Sequence, residues 1–408
     1  MERDARYSAN NYNPLPVVLA RGEGAYLWDI QGRRHIDMMS AYSAVSHGHA
    51  HPRILAALDA QARRLAVPSR AFYNDRLGLF LEKLCQVTGL DQALPMNTGA
   101  EAVETAIKAA RRWGYRVKGI APDRAEIVVA EGNFHGRTTT IIGFSSEAEY
   151  RDGFGPFAPG FRAVKFGDLA AMEAAITPNT AAVLIEPIQG EGGIIVPPQG
   201  WLAGVRALCN RRNVLLIVDE VQTGLGRTGA WFAFQHENIR PDGLILGKAL
   251  GGGVLPVSAL VGTKALMDVF TPGSHGSTFG GNPLAAAVGL VALRILEDEN
   301  LVTRSRFLGA HMMERLKALD LPAIKAVRGL GLLAGIEIDP RFASARTVCE
   351  QLIESGVLSK ETHETVIRLA PPLVIKQEDL DWALDRIAEV IGALTPQDNR
   401  RQAPSQAA

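Results

Sequence analysis

Through the middle of the chain, short apolar runs alternate with stretches of helical periodicity. This pattern restricts the fold more than any other feature. The runs include Ile127–Val129, Ala181–Ile185, Val214–Val218 and Leu244–Leu246. A strand apolar at every position is buried on both faces, as when helices cover both sides of a mostly parallel sheet. The expected class is therefore α/β with a mostly parallel central sheet. The chain has 408 residues, 47% of them hydrophobic, enough to bury a large interior. Such a length suggests about two or three domains.

The two ends read differently. Residues 1–50 look like an arm followed by short strands, with Ala25–Asp29 running into a turn at Gln31–Gly32. From about residue 300 the texture changes to a smaller α+β pattern. It contains an apolar run at Leu332–Ile338, a helix near 345–355 and another near 379–394. In the last of these, Leu380, Ala383, Leu384, Ile387, Val390 and Ile391 keep a 3.6-residue period. The expected organisation is a large body over 51–300 and a smaller unit over 301–395, joined by the segment 1–50. The polar stretch 396–408 reads as a disordered tail.

Charge and cysteine content exclude several classes of partner. Lys+Arg and Asp+Glu stand at 43 each, so nothing suggests nucleic acid or an anionic membrane. The longest helical apolar stretch, Leu284–Leu296, is interrupted by Arg294. It falls short of the ~20 residues that cross a bilayer. The three cysteines, Cys85, Cys209 and Cys349, are far apart. With no apolar leader after Met1, they point to a reduced, cytoplasmic protein.

Three places carry chemistry. Thr98 and Glu101 form a capping-box signature at the start of a helix in which Ala102, Val103, Ala106, Ile107, Ala110 and Trp113 share one face. Such a helix start offers free N–H groups and a positive dipole end to a phosphate, although an ordinary cap is the commoner meaning. The run Leu215–Val218 ends in Asp219 and Glu220. Ligands of open α/β sheets gather at the carboxyl ends of strands, where a carboxylate can pair with a buried pyridinium. The run Leu244–Leu246 delivers Lys248 into a turn with Gly247, Gly251, Gly252 and Gly253. A desolvated lysine there would have a lowered pKa, as a nucleophilic amine needs. A lone lysine after a strand is more often solvated, and Asp219 is what gives Lys248 weight.

Two other patterns carry less. Gly224, Gly226 and Gly229 match a dinucleotide fingerprint, but no tight strand-to-helix turn precedes them and no long helix follows. His47, His49 and His51 lack an accompanying cysteine or carboxylate cluster, so structural roles fit better than a metal.

Taken together, these motifs resemble the ornithine aminotransferase branch of the class III aminotransferases. The resemblance runs from about Asn10 to Leu394. It rests on Asn11–Pro16, Ser40–Val45, Ser69–Asp75, Met96–Glu101, Asn133–Thr138 and Asp152–Phe157. Glu186–Glu191, Asp219–Gly224, Leu246–Leu250, His275–Pro283 and Arg368–Pro372 complete it. It implies the fold type I architecture, pyridoxal 5′-phosphate as cofactor, and a homodimer with shared sites. It implies that Lys248 links to the cofactor and moves the proton. Asp219 would hold the ring nitrogen, Gln222 the ring hydroxyl and Phe134 the ring face. Gly99 and Ala100 would hold the phosphate, with Ser277 and Thr278 from the neighbouring subunit. Tyr12, Tyr42 and Arg137 would bind the amine substrate, and Arg368 the α-carboxylate of the oxo-acid. Glu191 would mask Arg368 while ornithine is bound. The implied reaction takes L-ornithine and 2-oxoglutarate to glutamate 5-semialdehyde and glutamate. The alternatives are another ω-amine, such as N-acetylornithine or 4-aminobutyrate, or a cofactor-binding regulator without turnover. His135 departs from the tryptophan of many relatives, Gly251 is an extra glycine, and Glu186 has no assigned role.

Overall fold

The computed structural model describes residues 1–396. The predicted tail therefore lies, beyond its first residue, outside the described residues. The apolar runs form a seven-stranded sheet. Its order is Gln92–Met96, Ser258–Gly262, Gly243–Leu246, Leu215–Asp219, Thr180–Ile185, Glu126–Ala130 and Phe161–Val164. The five strands from Gly243–Leu246 to Phe161–Val164 are mutually parallel. Ser258–Gly262 runs antiparallel to both its neighbours. The mostly parallel sheet expected from the apolar runs is thus present.

Burial explains the composition of these strands. Every residue of Thr180–Ile185, Leu215–Asp219 and Gly243–Leu246 is buried. The helix Gly99–Trp113 packs Val103, Ile107 and Trp113 against one face of the sheet, with Ile127, Leu184 and Ile217. Residues of alternate parity, such as Val183, Leu216 and Leu244, enter a second core with Trp201 and Leu293 on the other face. Because Leu215–Asp219 and Gly243–Leu246 are parallel neighbours, with Asp219 opposite Ile245, Asp219 and Lys248 emerge at the same edge.

Two smaller sheets flank this body. Leu19–Glu23, Tyr26–Asp29 and Arg34–Asp37 form an antiparallel meander, extended by Val357–Leu358 in parallel with Arg34–Asp37. Ile324–Gly329, Ala334–Ile338, Val366–Leu369 and Lys360–Thr362 form an antiparallel sheet. The helices expected near 345–355 and 379–394 are Ala345–Glu354 and Gln377–Gly392.

The glycine-rich segment after Asp219 builds no dinucleotide cradle. It runs as turns from Val221 to Trp231 and meets only the short helix Ala233–Glu237. Its end is stacked backbone to backbone. A Cβ on Gly331 would lie 2.3 Å from the Thr228 carbonyl carbon, and one on Gly309 would lie 2.1 Å from that of Gly331. Gly309 sits inside the helix Leu301–Lys317, so the helix approaches this loop as closely as backbone allows. Gly309→Ala is expected to cost about 3 kcal/mol by overpacking. Chemical denaturation should register that loss, and a change below about 0.5 kcal/mol, the range of ordinary surface substitutions, would contradict the reading.

Candidate active site

Two cavities meet at Lys248. The inner one, about 200 Å³, is lined by Gly99, Ala100, Phe134, Asp219, Gln222 and Lys248, among others. The outer one, about 540 Å³, is lined by Tyr12, Tyr42, Phe134, Arg137, Glu191 and Lys248, with further residues. Ten of the thirteen predicted residues therefore line one cavity or both. Arg368 lies immediately behind Glu191. Ser277 and Thr278 line neither cavity of their own chain. Ser277 Oγ instead accepts hydrogen bonds from Asn97 Nδ2 and the Gly280 N–H, both at 3.0 Å.

The inner cavity is built from a helix start and two strand ends. The capping box at Thr98 is formed: Thr98 Oγ1 accepts from the Glu101 N–H, and Glu101 Oε2 accepts from the Thr98 N–H at 2.7 Å. The Gly99 and Ala100 N–H groups are left without an acceptor among the described residues and sit on the cavity wall. Gly136, with φ of +125°, lets the loop carrying Phe134 close onto this helix. A Cβ there would come within 2.9 Å of Ala100 Cβ. Opposite, Asp219 is 5% exposed. Its Oδ1 accepts from the Val221 N–H, and its Oδ2 contacts His135 Nδ1 at 2.7 Å.

His135 is thus a working part of the site, which its position in the sequence did not suggest. Burial disfavours a charged ring, but the hydrogen bond and charge of Asp219 prevail, so its pKa stands above the ordinary histidine value. Glu186 completes a buried triad with these two. Burial pushes its pKa up to about 7, against the pull of His135, and Asp219 adds to the rise. Its oxygens accept from the Phe134 and Gly190 N–H groups, so it fixes the loops on both sides of the cavity.

Lys248 has a φ of +45°, a left-handed conformation rare outside glycine and concentrated at functional sites. Burial lowers its pKa to about 8, with Glu191 and Asp219 opposing and Arg368 assisting. A large fraction of this amine is therefore neutral at mildly alkaline pH.

The outer cavity holds two arginines in opposite states. Arg137 has no hydrogen-bond or ion-pair partner among the described residues, and its guanidinium carbon lies 3.6 Å from the Tyr150 ring centroid. Arg368 is 1% exposed and closed by Glu191, with Nη1 to Oε1 at 2.5 Å. The Tyr42 ring covers its other side at 4.5 Å. Burial would raise the Glu191 pKa, but the charge and hydrogen bond of Arg368 hold it below the ordinary glutamate value. Gln222, which the resemblance would send to a ring hydroxyl, donates to Glu191 Oε1 at 3.2 Å and lies 3.5 Å from Arg368 Nη1.

Tyr42 reaches this position through an unusual turn. Ser40, Ala41, Tyr42 and Ser43 all have positive φ, between 43° and 72°. A left-handed residue costs roughly 1–2 kcal/mol, so distant groups must impose the turn. Asp37 Oδ1 accepts from the Met39 and Ser40 N–H groups, and Ser40 Oγ donates to the Ala370 carbonyl at 2.6 Å. Arg227, fully buried, reaches Ser40 Oγ and Ser46 Oγ at 3.2 and 2.8 Å. Its other nitrogen donates to the Leu332 and Pro371 carbonyls. Burial pushes its guanidinium down to about 9, against the pull of Asp37. The arginine of the false dinucleotide motif therefore ties the Tyr42 turn to the strand end that carries Arg368.

The three N-terminal histidines go to separate partners: His47 to the Ala292 carbonyl, His49 to Asp37 and His51 to Glu299. Among the described residues, no group of three or more possible ligands gathers around a metal position. No described helix is long and apolar enough to cross a membrane.

Comparison with known proteins decides the family. The model for "Aminotransferase class-III" matches residues 7–391. The chain is a class-III aminotransferase. It is 56% identical to the ornithine aminotransferase of Brevibacillus brevis over 391 residues, covering 96% of this chain and 97% of that one. A solved ornithine aminotransferase from Toxoplasma gondii, with partial occupancy of pyridoxal phosphate at its active site, superimposes with a TM-score of 0.94. Identity there is 46%, covering 96% of this chain and 92% of that one. An acetylornithine aminotransferase from Elizabethkingia anophelis gives a TM-score of 0.88 at 50% identity, covering 96% and 97%.

The aminotransferase cofactor is pyridoxal 5′-phosphate, and the inner cavity fits it. Two unpaired N–H groups at a helix start suit the phosphate, Asp219 suits a protonated ring nitrogen, and Lys248 suits an aldehyde. Uptake of pyridoxal phosphate by cofactor-free protein should quicken about tenfold per pH unit and level off near pH 8, the Lys248 pKa. Stopped-flow absorbance measures this. A rise continuing toward ~10.4, the ordinary lysine value, would contradict the lowered pKa.

Proposed function

We propose that this aminotransferase moves the δ-amino group of L-ornithine to 2-oxoglutarate, giving glutamate 5-semialdehyde and glutamate. The observation that carries the reading is the contrast between an open Arg137 and a closed Arg368 on one cavity. Ornithine has one carboxylate and two amines. With only Arg137 open, the α-carboxylate anchors there, assisted by Tyr12, and the δ-amine extends to Lys248. 2-Oxoglutarate brings two carboxylates. Its distal one takes Arg137 and its α-carboxylate displaces Glu191 from Arg368, which sets the keto carbon beside Lys248. Bidentate arginine–carboxylate pairing suits such an exchange, because the incoming anion replaces the bonds it breaks.

Within this scheme Phe134 covers the cofactor ring, Gly99 and Ala100 hold the phosphate, and Asp219, oriented by His135, holds the ring nitrogen. Gln222 moves with Glu191. Lys248 Nζ would take the proton from the substrate carbon that bears the reacting nitrogen and pass it to the cofactor, and in the oxo-acid half-reaction it would deliver a proton to the former keto carbon. Bound here, pyridoxal phosphate supplies the electron sink and carries the amino group between the two half-reactions.

We also propose a homodimer in which Ser277 and Thr278 complete the partner's phosphate site. Thr278 is exposed and both lie outside their own cavities, while Phe72, Tyr73 and Phe279 stand exposed. The division into a body over 51–300 and a unit formed by 1–50 with 301–395 is supported by Val357–Leu358 pairing with Arg34–Asp37. The three free cysteines fit a cytoplasmic setting.

The acetylornithine relative keeps a second reading in view, that N-acetylornithine is the amine donor. Comparing kcat/KM for ornithine, N-acetylornithine and 4-aminobutyrate separates the readings. Ornithine should lead, and a clear lead for either other amine would sink the proposal. The mask makes its own prediction. Glu191→Gln removes the charge that closes Arg368, so the ratio of kcat/KM for glutamate to that for ornithine should rise about tenfold or more. Single-turnover absorbance of each half-reaction reads it, and an unchanged ratio would remove the switch.

A further inference from the structure

The outer cavity carries a second unpaired charge. Glu149 lines the same cavity as Arg137, and its side chain has neither a hydrogen bond nor an ion pair among the described residues. The other carboxylate on this cavity, Glu191, is committed to Arg368. Two opposite charges thus share a cavity without neutralising each other. That arrangement suits a ligand bearing both signs at one end, namely a zwitterionic amino-acid head group.

The neighbouring residue serves the same end. The Arg137 guanidinium lies over the Tyr150 ring at 3.6 Å and within 5.5 Å of the Phe134 centroid. The two rings meet edge to face at 6.2 Å. Stacking on ring faces fixes the plane of the guanidinium and leaves its edge N–H groups free for a carboxylate. Glu149 and Tyr150 both belong to the short helical turn Ala148–Arg151.

We propose that this turn is the second half of the head-group subsite: Glu149 takes the α-ammonium of the amine substrate, and Tyr150 positions Arg137 for the α-carboxylate. The inference rests on the ornithine reading and sharpens it, because N-acetylornithine and 4-aminobutyrate have no α-ammonium to offer. It also separates the half-reactions. The distal end of glutamate is a bare carboxylate, so it uses Arg137 and Tyr150 but gains nothing from Glu149. Glu149 is exposed, so the effect is that of a solvent-screened pair, about fivefold.

The test uses holoenzyme, wild type and variant, with ornithine, 5-aminopentanoate and glutamate as donors, and N-acetylornithine as a further donor for the wild type. 5-Aminopentanoate is ornithine without its α-ammonium. Glu149→Gln should lower kcat/KM for ornithine about fivefold, mainly through KM, and leave 5-aminopentanoate and glutamate within about twofold. An equal loss on ornithine and 5-aminopentanoate, or none on ornithine, would overturn the ammonium assignment. Tyr150→Leu should raise KM for all three donors, and Tyr150→Phe should restore it, since the ring face does the positioning. A Phe variant as impaired as Leu would overturn the stacking role. N-Acetylornithine as the better wild-type donor would overturn the substrate reading and this inference together. A wild-type preference for ornithine that Glu149→Gln leaves intact would overturn only the inference.

Discussion

The pairing of Arg368 with Glu191 is the constraint around which the outer half of the site is organised. Burying a guanidinium is costly unless a counter-charge and good hydrogen bonds accompany it. Here the counter-charge is a single side chain, Glu191, which in the proposed scheme a substrate carboxylate replaces. Much of the surrounding structure is built around this pair. The Tyr42 ring covers Arg368, Gln222 bridges it to Glu191, and Thr362 Oγ1 donates to the Glu191 carbonyl. The left-handed turn that presents Tyr42 is held by Asp37, the Ala370 carbonyl and Arg227. Arg227 is itself seated by the close approach of Gly309, Gly331 and Thr228. A strained turn, a buried arginine and a pair of packed glycines thus converge on the one ion pair that the proposed scheme opens.

The inner half works on the opposite principle, by fixing its groups. Asp219 is locked by the Val221 N–H and by His135, and Glu186 ties two loops to the cavity wall. Burial at the carboxyl edge of this rigid sheet lowers the Lys248 pKa, and the Asp219 and Glu186 charges limit the fall. The site thus joins an invariant half, which suits a cofactor, to an adjustable half, which suits two unlike substrates in turn.

Features that rest on local pattern could be read from the sequence. Strands apolar at every position specified a covered parallel sheet. The Thr98–Glu101 spacing specified its own cap, and Asp219 and Lys248 stood out as polar residues closing apolar runs. What stayed hidden depends on distant partners. Nothing in Ser40–Ser43 favours left-handed backbone; Asp37, Ala370 and Arg227 impose it. Arg227 was disguised by the glycines around it, although an arginine in a phosphate-like motif without a following helix was a usable signal. Glu149 and Tyr150 stand out by no local pattern, because only the fold brings them to the cavity that Arg137 lines. His135 looked like a substitution of an aromatic, and its bond to Asp219 appears only once two loops meet.

The central claim is regiochemical: with Arg368 closed and Arg137 open, ornithine presents its δ-nitrogen, not its α-nitrogen, to Lys248. The most direct measurement follows a label. L-ornithine carrying 15N only at the δ position is turned over with 2-oxoglutarate, and the products are separated and weighed by mass spectrometry. The account predicts that the label leaves with glutamate and that the cyclic imine formed from the semialdehyde is unlabelled. Label retained in the cyclic imine, with unlabelled glutamate, would mean that the α-amine reacts and that Arg368 is not masked when ornithine binds.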